Sequence, residues 1–264
     1  MLSFDYILTK EPHQICAVFV SDLHLSAHTP DLNKAFIKFI NDLAVLQSLN
    51  HLFILGDFLD AWAGDDAFFN TPNHWLNPIA DNLKKLKNTK TYLMHGNRDF
   101  MIGQKLCKAL NATLITEPYL IDFYQKTYRL EHGDRLCTDD KNYQTYRKII
   151  RNPLIKTTLS ALPLSVRQNL AGTIKNKSSD DKQQKSSEIM NVNPQAALVA
   201  LQTCDILIHG HTHRPFVHSY KKDNENNNKQ RVVLGDWRIQ NNKVMGEVAV
   251  LLDGGELVFC GVSD

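Results

Sequence analysis

With 264 residues, 43% of them hydrophobic and 22% charged, the chain is long enough for one large α/β domain and lies far from the composition of disordered chains. Lysine plus arginine number 30 against 28 aspartate plus glutamate, which excludes the broad basic excess of a general nucleic-acid binder and leaves electrostatic partners to be read from local clusters. The five cysteines (Cys16, Cys107, Cys137, Cys204, Cys260) are scattered and form no CxxC pair, so neither a disulfide framework nor a thiolate zinc site is expected, and a reducing cytosol fits best.

The first segment, MLSFDYILTKEPHQI, is broken by Asp5, Lys10, Glu11 and Pro12; it is read as part of the fold rather than as a signal peptide. Cys16 to Val20 is a short apolar run ending in Ser21-Asp22-Leu23-His24, the pattern of a buried strand that delivers polar residues at its C-terminal end. Residues 31 to 46 place Leu32, Phe36, Ile37, Ile40, Leu43 and Ala44 at helical spacing, and His51 to Leu55 repeats the strand pattern before Gly56-Asp57. The same design recurs at Thr91 to Met94 before His95-Gly96-Asn97-Arg98-Asp99, at Tyr128 to Glu131 before His132-Gly133-Asp134, and at Asp205 to Ile208 before His209-Gly210-His211-Thr212-His213. Between Asp139 and Val192 the pattern changes to helices interrupted by Pro153 and Pro163, read as an insertion, with a polar stretch over 175–187. Beyond residue 214, Arg231 to Leu234, Val244 to Leu252 and Leu257 to Cys260 read as strands and Lys221 to Gln230 as a polar hairpin tip. No run of about 18 apolar residues occurs, so no membrane-crossing helix is expected.

Five strand ends thus converge on metal-type ligands. In Asp22-x-His24 the period of two puts both side chains on one side of an extended segment, where they can grip one cation; carboxylate and imidazole suit manganese, iron or zinc. Asp57 adds a carboxylate whose two oxygens can bridge two cations. Asn97 supplies an amide oxygen and Arg98 a planar guanidinium able to hold a phosphate in two places. His132, His211 and His213 complete the imidazole set, and His209 is expected to orient a ligand from behind. Any one of these motifs occurs readily by chance; their order along the chain is what makes the set specific.

The ordered set Asp22-x-His24, Gly56-Asp57-x-x-Asp60, Gly96-Asn97, His132 and Gly210-His211-x-His213 resembles the calcineurin-like metallophosphoesterase superfamily. Within it, SDLHLS, ILGDFLDAWAGDD, HGNRDF, HGDRLCTDD, EIMNVN and IHGHTHRP resemble the pyrophosphatases that act on UDP-2,3-diacylglucosamine in lipid A synthesis, from about Phe19 to Trp237. The resemblance implies a single α/β domain over residues 1–264, a four-layer αββα sandwich with a helical lid inserted at about 139–192. It implies two Mn²⁺ ions, one held by Asp22, His24, Asp57 and His213, the other by Asp57, Asn97, His132 and His211. It implies substrate contacts from Asn97, Arg98, Asp140, Ser178, Lys182, Lys185 and His211, with Arg98 and His211 stabilising phosphoryl charge during water attack on the α-phosphorus. Many members place a histidine after the asparagine as a proton donor; this chain has Arg98 there, as the lipid A branch does. It also has Asp236 where the family pattern usually reads Gly-Ala-Trp, a departure that leaves the ligands intact.

Residues 141–190 contain ten Lys or Arg and three Asp or Glu, 10 − 3 = +7, in an otherwise near-neutral chain. With apolar residues beside them, that charge suits a lid meeting an anionic head group and acyl chains, and a peripheral association with the cytoplasmic face of the inner membrane. Neither a nucleic acid nor an obligate protein partner is expected. The rival readings are another metallophosphoesterase, such as a nuclease, cyclic-nucleotide phosphodiesterase or protein phosphatase, with the same ligands and a different lid, and a scaffold that has lost its metals, against which every ligand position is filled.

Overall fold

The computed structural model of the protein describes residues 2–71, 74–173, 191–220 and 228–263. In chain order, β1 (Leu2–Ser3) and α1 (Phe4–Lys10) lead into β2 (Ile15–Val20), α2 (Pro30–Ala44) and β3 (His51–Leu55). Then follow α3 (Asp66–Phe69), α4 (Asn77–Leu83), β4 (Lys90–Met94), α5 (Gln104–Ala109), β5 (Ala112–Ile115), β6 (Tyr119–Phe123) and β7 (Lys126–Leu130). The next stretch is helical: α6 (Lys141–Ile150), α7 (Pro153–Ala161), α8 over 164–173, and α9 (Pro194–Leu201). The chain closes with β8 (Ile206–His209), β9 (Phe216–Tyr220), β10 (Lys229–Val233), β11 (Arg238–Gln240), β12 (Lys243–Leu252) and β13 (Leu257–Ser263).

Two sheets stack face to face. The larger runs β1-β13-β12-β2-β3-β4-β5, with β11 added to β12, and β2 to β5 are parallel. The smaller runs β6-β7-β8-β10-β9, with β7, β8 and β10 parallel. The strand sequences account for the layering through their period of two. In β2, Val18 and Val20 face the helices α1, α2, α4 and α5, while Ala17 and Phe19 face the second sheet; in β3, Leu52 and Ile54 go one way and Phe53 and Leu55 the other. Both faces are covered, which is why these strands read as unbroken apolar runs rather than as alternating ones. Tyr128, Leu130, Ile206, Ile208 and Val232 fill the intersheet core from the smaller sheet, and Leu207 on its far face packs with Ala200 and Leu201 of α9. Helices, sheet, sheet and helix make the four-layer αββα sandwich.

The expected strand at Cys16 to Val20 and the expected helix over 31–46 each appear with ends displaced by one or two residues. α2 starts with Pro30 at its first turn, where a missing N–H costs nothing, and buries Leu32, Phe36, Phe39, Ile40 and Leu43. Phe4 and Ile7 are buried, so the N-terminal segment belongs to the fold. One boundary needs correcting: Lys229 and Gln230, expected in a polar hairpin tip, are in β10, where Gln230 pairs with Ile206 on one side and Ser219 on the other. Their polar side chains hid a strand that is half-buried and satisfied by backbone bonding on both edges. Residues 221–227 of that tip and the whole of the polar stretch 175–187 lie outside the described residues.

Candidate metal centre

The parallel strands β2, β3, β4, β7 and β8 all end at one edge of the sandwich, and each is followed at once by a polar turn. Asp22 (φ 53), His24 (φ 48), Asp57 (φ 48), His211 (φ 70) and His213 (φ 53) occupy the left-handed backbone region. Such conformations are uncommon without glycine, more accessible to Asp and His, and cost roughly 1–3 kcal/mol each unless the surroundings hold them. Cross-loop bonds hold them here. Asp22 N donates to Gly56 O at 3.1 Å, His24 N to Asp57 O at 3.0 Å, Trp237 N to Asp22 O at 3.0 Å, and His211 N to Asp22 Oδ2 at 2.8 Å. Glycine is required where the turns nearly touch: a Cβ on Gly96 would lie 2.0 Å from Asp57 Oδ1, and one on Gly210 would lie 2.1 Å from Asp22 Oδ2.

The side chains form two overlapping groups. Asp22, His24 and His213 offer ligand atoms within 4.8 Å of one another, as do Asp22, Asp57 and His132. In the first, His213 Nε2 is 3.3 Å from Asp22 Oδ1 and 3.5 Å from His24 Nε2, and His24 Nδ1 is 3.9 Å from Asp57 Oδ2. In the second, His132 Nε2 lies 3.8 Å from Asp57 Oδ1 and 3.1 Å from Asn97 Oδ1, which is also 3.0 Å from His211 Nδ1. Asp57 stands between the two. Asp22 Oδ1 is fully buried among imidazoles without making a hydrogen bond. A buried carboxylate oxygen costs several kcal/mol when nothing compensates it, and the surrounding donors are carboxylate, imidazole and amide oxygen with no thiolate. These residues fit divalent cations.

The electrostatics have the same sense. Burial alone would raise the Asp22 carboxyl, but the His213, His132 and His24 imidazoles hold it well below the usual carboxylate range. Burial and the charge of Asp22 push Asp57 up, against the pull of His132 and Arg98. Two adjacent carboxylates are thus driven in opposite directions. Asp99 is pushed up to about 7 by burial and by Asp57. Its Oδ2 accepts from Phe58 N at 2.8 Å and Leu59 N at 3.3 Å, and its Oδ1 from Gly96 N at 2.7 Å, tying the Asp57 turn to the Asn97 turn.

All seven expected ligands therefore meet at one place. Arg98 sits beside them, donating from its backbone N to Asp57 Oδ1 at 2.9 Å and from Nη1 to Asp60 Oδ1 at 2.5 Å. Asp140 is the N-cap of α6, accepting from Tyr143 N at 3.0 Å. Ser178, Lys182 and Lys185 lie outside the described residues. His209 is buried with its hydrogen bond to Gly210 O at 2.9 Å; its link to the ligands runs through the backbone of the His211 turn, not through a ligand side chain. Three contributors escaped the sequence reading. Glu117 Oε2 accepts from His132 N at 3.0 Å, Asp134 Oδ2 accepts from Tyr143 Oη at 2.7 Å, and the Tyr143 ring lies 6.0 Å from that of His211. Only the HGD string, which contains Asp134, carried a signal for any of them.

Comparison with known proteins agrees with this geometry. The calcineurin-like phosphoesterase family description matches residues 17–215. A UDP-2,3-diacylglucosamine hydrolase of Pseudomonas paraeruginosa is 41% identical over 225 residues, covering 83% of this chain and 90% of its own. One of Pseudomonas fluorescens is 40% identical over 224 residues, covering 83% and 86%. Among solved structures, a Pseudomonas putida nuclease covers 89% of this chain and 84% of its own at 16% identity and a TM-score of 0.41, too distant to carry an argument. By its motifs and its similarity over most of its length, the chain belongs to the calcineurin-like phosphoesterase family.

Proposed function

We propose that this hydrolase splits the pyrophosphate of UDP-2,3-diacylglucosamine by water attack on the α-phosphorus, giving UMP and 2,3-diacylglucosamine 1-phosphate, with two Mn²⁺ ions. Asp22, His24, Asp57 and His213 would hold one ion, and Asp57, Asn97, His132 and His211 the other. Bound there, two divalent cations bring the pKa of water toward neutrality and offset charge on the phosphoryl oxygens.

The observation that carries the substrate is an apolar cavity of about 220 Å³ opening beside Asn97 and Arg98, lined by Trp62, Phe100 and Met101 of the body and by Ile155, Leu159 and Leu170 of the helices that follow it.

 A polar, ligand-rich floor with an apolar pocket at its rim suits a molecule that joins a charged diphosphate to acyl chains, and each CH₂ buried there is worth about 0.8 kcal/mol. The cavity wall formed by Ile150, Ile155, Leu159 and Leu170 supports reading residues 139–192 as a lid inserted in a single domain over 1–264. Leu154 (77% exposed) and Ile149 (53% exposed) stand on the same basic helices. They support a peripheral position on the cytoplasmic face of the inner membrane. Among the described residues, no helix is long and apolar enough to cross a membrane.

The chain's own groups would orient the substrate. Arg98 Nε is buried without a hydrogen-bond partner, 3.9 Å from Asp57 Oδ2, and can donate to a phosphoryl oxygen while Asp60 fixes the other end of the guanidinium. His211, across Asn97 Oδ1, would share that role, and Asp140, Ser178, Lys182 and Lys185 are proposed as further substrate contacts. The leaving group is a phosphate monoester with a second pKa of about 6, so it departs without a protein proton donor. Arginine can therefore stand where many relatives place a histidine.

UMP release from UDP-2,3-diacylglucosamine tests the proposal. Release should require Mn²⁺ and fall by more than about 100-fold in Asp57→Ala, beyond the usual effect of residues that only support a ligand. Metal-dependent cleavage of a simple phosphodiester, with no UMP from the lipid nucleotide, would keep the family chemistry and overturn the substrate.

A further inference from the structure

A second carboxylate stands behind His213. Asp236 Oδ2 lies 3.4 Å from His213 Nδ1, while Nε2 of the same ring faces Asp22 Oδ1 at 3.3 Å and His24 Nε2 at 3.5 Å. A neutral imidazole carries one N–H, and an ionised carboxylate can only accept. Asp22 Oδ1 would favour a hydrogen on Nε2 by the same rule; with a cation taking the Nε2 lone pair, the hydrogen belongs on Nδ1, where Asp236 Oδ2 can accept it.

Asp236 is itself braced on both sides. Arg238 Nη1 donates to the Asp236 carbonyl at 3.0 Å and lies 3.5 Å from Asp236 Oδ1. The guanidinium is held in turn by both oxygens of Glu247, at 2.9 Å each, and the Glu247 side chain is 5% exposed on β12. Between Asp236 and Arg238, the buried Trp237 packs its ring 5.4 Å from Phe39 and 6.0 Å from Phe36, and its backbone N is the donor to Asp22 O. The backbone at Asp236 is thus coupled to that at Asp22. Arg238 already has a bidentate partner in Glu247, so pairing with Arg238 does not by itself account for a carboxylate at position 236.

We propose that Asp236, braced by Arg238 and Glu247, is a positioning residue that fixes the tautomer and ring orientation of His213 and so strengthens divalent-cation binding at Asp22, His24 and His213. The proposal rests on the two-metal reading above. Carboxylates placed in this way typically contribute 10- to 100-fold in metal affinity.

The test is Mn²⁺ titration calorimetry on the full chain, as wild type, Asp236→Ala, Asp236→Asn, His213→Ala and the Asp236→Ala/His213→Ala double variant. Asp236→Ala should weaken binding by about 10- to 100-fold and should have little further effect once His213 is gone. Asp236→Asn, which keeps an accepting oxygen in place, should lose less than Asp236→Ala. An unchanged affinity in Asp236→Ala, an equal loss with and without His213, or an Asn variant as weak as the Ala variant would overturn the positioning role. Failure of the wild type to bind Mn²⁺ would instead overturn the metal reading on which it stands.

Discussion

At the scale of single residues, burial and charge make the site's surroundings sensitive to acid. His95, just before Gly96, donates from Nε2 to Ile102 O at 2.7 Å, and its imidazole is pushed down to about 4 by burial and then by Lys156. His209 is pushed down to about 3 by burial. Unfolded, either ring takes up its proton near pH 6.5. Their contributions to stability are therefore complete above that value and are lost as the pH falls toward the folded values, His95 accounting for up to about 3 kcal/mol at about 1.4 kcal/mol per pH unit. Urea unfolding of wild type and His95→Gln between pH 7 and pH 4 checks this: the variant should lose stability less steeply. Equal slopes would show that His95 is equally easy to protonate folded and unfolded.

At the scale of elements, α6 is anchored to the ligand turns by a buried ion network. Asp134 Oδ2 accepts from Arg147 Nε at 2.9 Å and Arg151 Nη2 at 3.1 Å, and Glu117 Oε1 accepts from Arg151 Nη1 at 2.7 Å and from Arg147 Nη2. Burial alone would raise the Asp134 carboxyl, but Arg151, His132 and Arg147 hold it far below the usual range. Removing one charge from such a network leaves its partners buried and uncompensated, which typically costs 3–5 kcal/mol. Asp134→Asn should therefore lose about that much in chemical denaturation; a loss under about 1 kcal/mol would mean that water reaches the arginines. The sequence marked the strand ends because each apolar run stops abruptly at a polar string, as at Val20 or Leu55. It gave no comparable sign of Glu117, which lies 30 positions from Arg147 and meets it only after folding.

At the scale of the whole molecule, the sandwich gathers Asp22, Asp57, Asp99 and Asp134, all buried, at one edge. Cations that bind the folded chain and not the unfolded one stabilise it by mass action, by about 2.7 kcal/mol at a free concentration 100 times Kd. For a chain of this size that is a rise of roughly 5–10 °C in Tm. Thermal unfolding with Mn²⁺ and then with excess chelator should show the rise and its reversal, whereas identical curves would argue against tight binding to the folded state.

Local pattern alone determined the parallel strands, the helix after β2, and all seven side chains that meet at the centre. Those features were legible because burial on both faces leaves an apolar run, and because ligand-type residues follow each run directly. Tertiary structure decided which oxygen faces which imidazole, that Asp140 caps α6, that Glu117 and Asp134 anchor that helix, and that Asp236 stands behind His213. It also showed that the departure at Asp236, though it replaces no proposed ligand, faces one of them across 3.4 Å. The reason is physical: these contacts join segments far apart in the chain, and their geometry is set by how the layers pack, which no local pattern encodes.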